Sequence, residues 1–125
     1  MMVVLIVSIL AMVAYPSFMQ NVRDSRRTDA QVALTRTAQN LERFFGTNGT
    51  YTVDTANLGL RPGSLSEGGN YVVTVGPGAS GIGSSYFITA TAAAGTTQVD
   101  DAGCTVLTLD SRGRRTPDPT ASDCW

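Results

Sequence analysis

The chain begins MMVVLIVSILAMVAYPSFMQNVRDSRRTDAQ: fifteen almost wholly apolar residues, then a proline, then charge. No other feature limits the fold so strongly. Met2, Val3, Val4, Leu5, Ile6, Val7, Ile9, Leu10, Met12 and Val13 are apolar on every side of a helix, so lipid or protein must cover them all round. As a helix this run is about 22 Å long at 1.5 Å per residue, short of the roughly 30 Å bilayer core. A removable secretory signal needs a basic start and a small-x-small cleavage site; no basic residue precedes the run and YPSF follows it. Ser8 can hide its hydroxyl by donating to the carbonyl of Val4. Arg23, Arg26 and Arg27 lie just after the run, and the positive-inside bias would place that side in the cytoplasm. Both the short span and the charge bias are explained if further residues, some of them basic, precede Met1, and that is the expectation.

After Pro16 the pattern turns amphipathic. Ala30, Ala33, Leu34, Thr37, Leu41, Phe44 and Phe45 recur at three- and four-residue spacings, with Asp29, Arg36, Gln39 and Arg43 between them. Gly46 supplies a C-terminal stop. The simplest reading is one helix from residue 1 to about residue 45. Residues 1–19 are its apolar half, and an amphipathic half, 20–45, lays Ala30, Ala33, Leu34, Leu41, Phe44 and Phe45 on a domain. Pro16 removes one backbone bond and clashes with the carbonyl of Met12, which predicts a kink.

Beyond a loop over 46–70 the signals are β. YVVTV at 71–75 alternates with Tyr71, Val73 and Val75 on one face. YFITATAAA at 86–94 sets Ile88, Ala90 and Ala92 against Phe87, Thr89 and Thr91, and TVLTLD at 105–110 is a third run. DSRG after it is a turn that can return a fourth short strand. GPGASGIGSS between the first two runs is too glycine-rich for regular structure and reads as a flexible connection. The fold class is therefore α+β, a long N-terminal helix with its C-terminal half packed on a three- to four-stranded antiparallel sheet within 71–115.

Charge and composition exclude more than they assign. Residues 1–45 carry five arginines against three acids, a net +2, and residues 46–125 four against seven, a net −3. Neither half is a nucleic-acid surface on charge alone. All nine cations are arginine, with no lysine or histidine. Lysine Schiff bases and histidine ligands or bases are thus excluded, no cofactor is implied, and an enzyme is the weakest reading. Asp100 and Asp101 could begin a cation site but read as solvated turn acids. Asn48-Gly49-Thr50 fits a glycosylation sequon and more simply marks a turn. Arg112, Arg114 and Arg115 form a small basic cluster that could touch DNA phosphate, and more often such a cluster is a solvated turn. Cys104 and Cys124, with nineteen residues between them, are too widely spaced for a CxxC motif. They are either two buried thiols or a disulfide closing a C-terminal loop over 104–124, the second placing the domain outside the cytoplasm.

MVVLIVSILAMVAYPSF, followed by RRTDAQVAL and LERFFGTNGTYT, resembles the N-terminal helix of type IV pilins, especially the minor pilins of the PilE type. The Cys-bounded CTVLTLDSRGRRTPDPTASDCW resembles the same subgroup. The resemblance implies a leader cut by a prepilin peptidase, a methylated first residue, and a helix that anchors the subunit in the bacterial inner membrane, with a periplasmic domain, before packing into the core of a cell-surface pilus. It also implies partners: major and minor pilin subunits through the helix, and the inner-membrane assembly platform. The mature family sequence usually begins Phe-Thr-Leu-Ile-Glu, its glutamate two positions before Met1. The expected function is a minor pilin supporting pilus assembly, adhesion, twitching motility or DNA uptake. The alternatives are a type II secretion pseudopilin and a membrane-tethered ligand- or DNA-binding module.

Overall fold

The computed structural model describes residues 1–118 and 124–125, the side chains of 15–20 and 57 excepted. One helix, α1 (Met2–Asn48), runs for 47 residues, about 70 Å at 1.5 Å per residue. From Met2 to Val13 it packs on nothing: the ten large apolar side chains are 56–81% exposed. Ser8 donates to the Val4 carbonyl at 2.8 Å, which satisfies its hydroxyl within this apolar stretch. The helix is continuous through Pro16. Among the described residues, no helix is long and apolar enough to cross a membrane.

Higher up, one face turns inward. Ala30, Leu34, Thr37 and Leu41 are fully buried and Ala33 nearly so, a three- and four-residue spacing that matches the helical period. Two expectations for this end are corrected. The helix passes through Gly46 and stops three residues later, at Gly49, whose φ of 72° closes the last turn with its N–H on the Phe45 carbonyl at 2.7 Å. Thr47 and Asn48 extend it by bonding back to the carbonyls of Arg43 and Phe44. Phe45, expected against the sheet, instead lies 36% exposed and stacks on Tyr51 with ring centroids 4.7 Å apart.

Four strands come after the helix: β1 (Tyr71–Pro77), β2 (Tyr86–Ala92), β3 (Val106–Asp110) and β4 (Arg115–Thr116). They form one antiparallel sheet in the order β1-β2-β3-β4. Alternation decides which side chains meet the helix. Tyr71, Val73, Tyr86, Ile88, Ala90, Leu107 and Leu109 point inward and are buried with Leu34, Leu41 and Leu58. The outward face is uncharged over most of its width, and the pairs Thr74–Thr89, Thr89–Thr108 and Thr108–Thr116 put one threonine of each strand in a single row.

Two polar fasteners join the helix to the rest of the domain. Asp29 accepts from Ser66 Oγ at 2.5 Å, Gly68 N at 3.0 Å and the Asn70 side chain at 3.2 Å, which fixes the loop before β1. Asp101, expected in solvent, is 2% exposed. It receives Arg27 Nε at 2.7 Å and Nη2 at 2.6 Å, while Asp24 holds Nη1 at 2.8 Å. This hydrogen bonding to Asp101 is the main reason the Arg27 pKa is raised. Gln98 completes the cluster, donating to Tyr71 Oη at 2.7 Å and to the Arg23 carbonyl at 3.2 Å. A disulfide joins Cys104 to Cys124 with Cα atoms 5.5 Å apart, and both residues are buried.

Candidate nucleic-acid interface

The basic cluster of the sequence sits on the turn between β3 and β4, and its geometry is set by one carboxylate. Asp110 Oδ1 accepts the backbone N–H of Arg112 at 2.9 Å and of Arg114 at 2.8 Å, an Asx-type turn that leaves the acid committed to the main chain. The three arginine side chains are exposed. Among the described residues, Arg112 and Arg114 make no ion pair, and Arg115 lies over the Trp125 ring, 5.1 Å from its centroid. Trp125 is positioned by the neighbouring disulfide and by its indole N–H, which donates to the Thr116 carbonyl at 3.1 Å.

The structure brings the glycine-rich segment to this turn, and not as a flexible connection. β1 extends into it as far as Pro77, and Gly78–Ser85 folds as a hydrogen-bonded turn. Ser84 and Ser85 donate their N–H groups to the Gly81 carbonyl at 3.2 and 2.8 Å, and Ser80 N donates to Ser85 Oγ at 3.0 Å. A Cβ at Gly78 would come within 2.5 Å of Ser85 Oγ, so the turn closes only over glycine there. Ser111 N donates to the Tyr86 carbonyl at 3.1 Å, tying the basic turn to β2. Between the two turns is a depression of about 190 Å³ whose lining includes Ser80, Ser85, Phe87, Asp110, Arg112 and Arg114. Hydroxyls, backbone and two guanidiniums that make no ion pair among the described residues, with the Asp110 carboxylate turned to the main chain and a 42% exposed phenylalanine beside them, suit a phosphate backbone better than a small neutral ligand.

On the other side of β4 lies a groove of about 440 Å³ between helix α1 and the C-terminus, lined by Gln31, Val32, Thr35, Arg36, Gln39, Arg115 and Trp125. Sequence reasoning misses it, because its two walls lie far apart along the chain. The nearest signal is the tryptophan directly after Cys124. Of the other residues singled out in the sequence, Ala30, Ala33, Leu34 and Leu41 lie in the core, Phe44 is half-buried and makes no part of it, and Met2–Val13 lie exposed. Among the described residues no group of acids or cysteines could hold a metal ion.

A long, half-bare helix laid on a four-stranded antiparallel meander with a disulfide-bounded C-terminal segment defines a type IV pilin. The fold is similar to that of the Neisseria meningitidis non-core minor pilin PilV, with a TM-score of 0.54 over 77% of this chain and 86% of that one at 21% identity. Residues 16–108 match the family model described as type IV minor pilin ComP, DNA uptake sequence receptor, and the chain belongs to that family. No curated protein matches it significantly. The protein is a minor pilin of a type IV pilus, in a family whose fold is structural. The family match ends before the basic turn.

Proposed function

We propose that this subunit is held in the bacterial inner membrane, and afterwards among other pilin subunits, by its apolar helix, and that its domain binds DNA at the basic edge of the sheet. The exposed side chains of Met2–Val13 support the first half. They suit lipid tails or neighbouring helices equally, so transfer from membrane to filament changes their solvation little. Handing the subunit over falls to the assembly platform, and the domain then stands at the cell surface.

The DNA half rests on one observation: Arg112 and Arg114, free of ion pairs among the described residues, line one depression together with the Gly78–Ser85 turn. A second support is the family to which the chain belongs, described as a DNA uptake sequence receptor. Such contacts are electrostatic and release counterions. Each lost phosphate contact flattens the plot of log affinity against log salt by about 0.9 for duplex DNA. The test is fluorescence anisotropy of a labelled duplex with the full chain in neutral detergent across a salt series. Replacing Arg112 and Arg114 together by alanine should lower the slope by about 2. An unchanged slope would remove this edge from the function.

A further inference from the structure

The groove between α1 and the C-terminus differs in character from the basic turn. At about 440 Å³ it has the size of a site for one small ligand or one nucleotide unit, not for a duplex. Among the described residues no acidic side chain lines it. One wall is the Trp125 indole with the Arg115 guanidinium over it, 5.1 Å from the ring centroid; aromatic and guanidinium planes accept the π-face of a nucleobase. The facing wall is a helix surface bearing amides. Gln39 is exposed and its amide makes no hydrogen bond within the described residues, so two donors and an acceptor remain for a base edge. Gln31 spends its amide N–H on the Cys124 carbonyl at 2.9 Å, which fixes the side chain and leaves its oxygen as an acceptor. Arg36 closes the groove. Its ion pair with Glu67, at 3.2 Å, joins side chains 47% and 72% exposed, and a pair so exposed yields readily to a phosphate.

We propose that this groove holds one unpaired nucleotide of a DNA strand, the base stacked on Arg115–Trp125 and hydrogen-bonded by Gln39 and Gln31, the phosphate on Arg36. The assignment rests on the DNA reading above. It adds that a strand end or an opened base pair occupies a site of its own, beside the duplex contacts of the basic turn.

Trp125 is the only tryptophan of the chain, so its fluorescence reports on this groove alone. The full chain in neutral detergent is titrated with three labelled DNAs: a mixed-sequence single strand, an abasic strand of equal length, and a duplex closed by hairpins at both ends. Anisotropy reads total binding and Trp125 emission reads the groove. The expected result is that the single strand quenches Trp125 while the closed duplex binds without quenching. Gln39→Ala and Arg36→Ala, both at exposed helix positions, should then weaken single-strand binding about tenfold and leave duplex binding unchanged. If the duplex binds but the single strand leaves Trp125 emission unaltered, the groove assignment falls and the DNA reading stands. Equal quenching by the abasic strand, or quenching indifferent to both variants, overturns it in the same way. If no DNA changes anisotropy, the DNA reading itself has failed and takes the groove with it.

Discussion

Arg27→Ala should be the most damaging single change in the domain outside the hydrophobic core. The substitution removes the two guanidinium N–H groups that Asp101 receives, at 2.7 and 2.6 Å, and leaves that carboxylate, 2% exposed, with Gln98 Nε2 at 3.5 Å as its remaining side-chain donor among the described residues. The loss is that of a buried carboxylate stripped of its main partner, about 3–5 kcal/mol. For a domain of roughly a hundred residues each kcal/mol moves the midpoint by at least about 4 °C, so Tm should fall by roughly 12–20 °C. The assay is thermal and urea unfolding of the full chain in detergent, monitored by circular dichroism. The double variant Arg27→Met, Asp101→Leu should recover most of the loss, since it removes the charge along with its partner. A cost below about 1 kcal/mol for Arg27→Ala, the figure for an exposed pair, would refute the reasoning. So would a double variant no more stable than the single one.

Replacing Cys104 and Cys124 together by alanine opens a loop with a sequence separation of 20 and should cost about 3 kcal/mol in the chain-entropy model, read as a lower urea midpoint. The Tyr86 pKa is raised from 10.0 to about 12, by burial first and then by the nearby Glu42. Because the unfolded phenol loses its proton earlier, the stability it contributes is intact below pH 10 and is lost as pH rises towards 12. Phenolate absorbance of the native chain should therefore show a tyrosine titrating near 12, and a normal titration of all four tyrosines would contradict the packing described. Gly49→Ala places a side chain at φ +72° with no atom within 4 Å, so its cost of about 1 kcal/mol is backbone strain alone. Gly46→Ala, inside the helix, should instead stabilise by about 0.5–1 kcal/mol; the reverse ranking in thermal unfolding would return the helix end to Gly46.

The legible parts of the sequence are those with a period. Ala30, Ala33, Leu34 and Leu41 keep the helical repeat, and Ile88, Ala90 and Ala92 the strand repeat, and the structure buries these faces wholly or in part. The helix end is not legible because two glycines lie three residues apart, and the choice between them depends on Thr47 and Asn48 bonding backwards, which no repeat announces. The order of Gly78–Ser85 is hidden because it comes mainly from serine hydroxyls and main chain, and its single large apolar residue, Ile82, packs against the core without making a period. Asp101 reads as a solvated turn acid because its partner Arg27 lies 74 residues away. Of the candidate interface, the arginines are visible as a cluster. Their meeting with the glycine-rich turn, and the groove against Gln31 and Gln39, depend on tertiary packing alone.

The strand order β1-β2-β3-β4 carries a consequence for how the subunit is made. Every strand pairs with its neighbour in the chain, so no strand waits for a distant segment to arrive, and each pairing closes only a short loop. The main distant demand is the helix face from Arg23 to Leu41, which is already present when the first strand emerges. Residues Met2–Val13 are not asked for at any stage. The domain can therefore mature with that stretch still gripped elsewhere, and the disulfide, which needs Cys124 from beyond the last strand, seals the product once the sheet is in place.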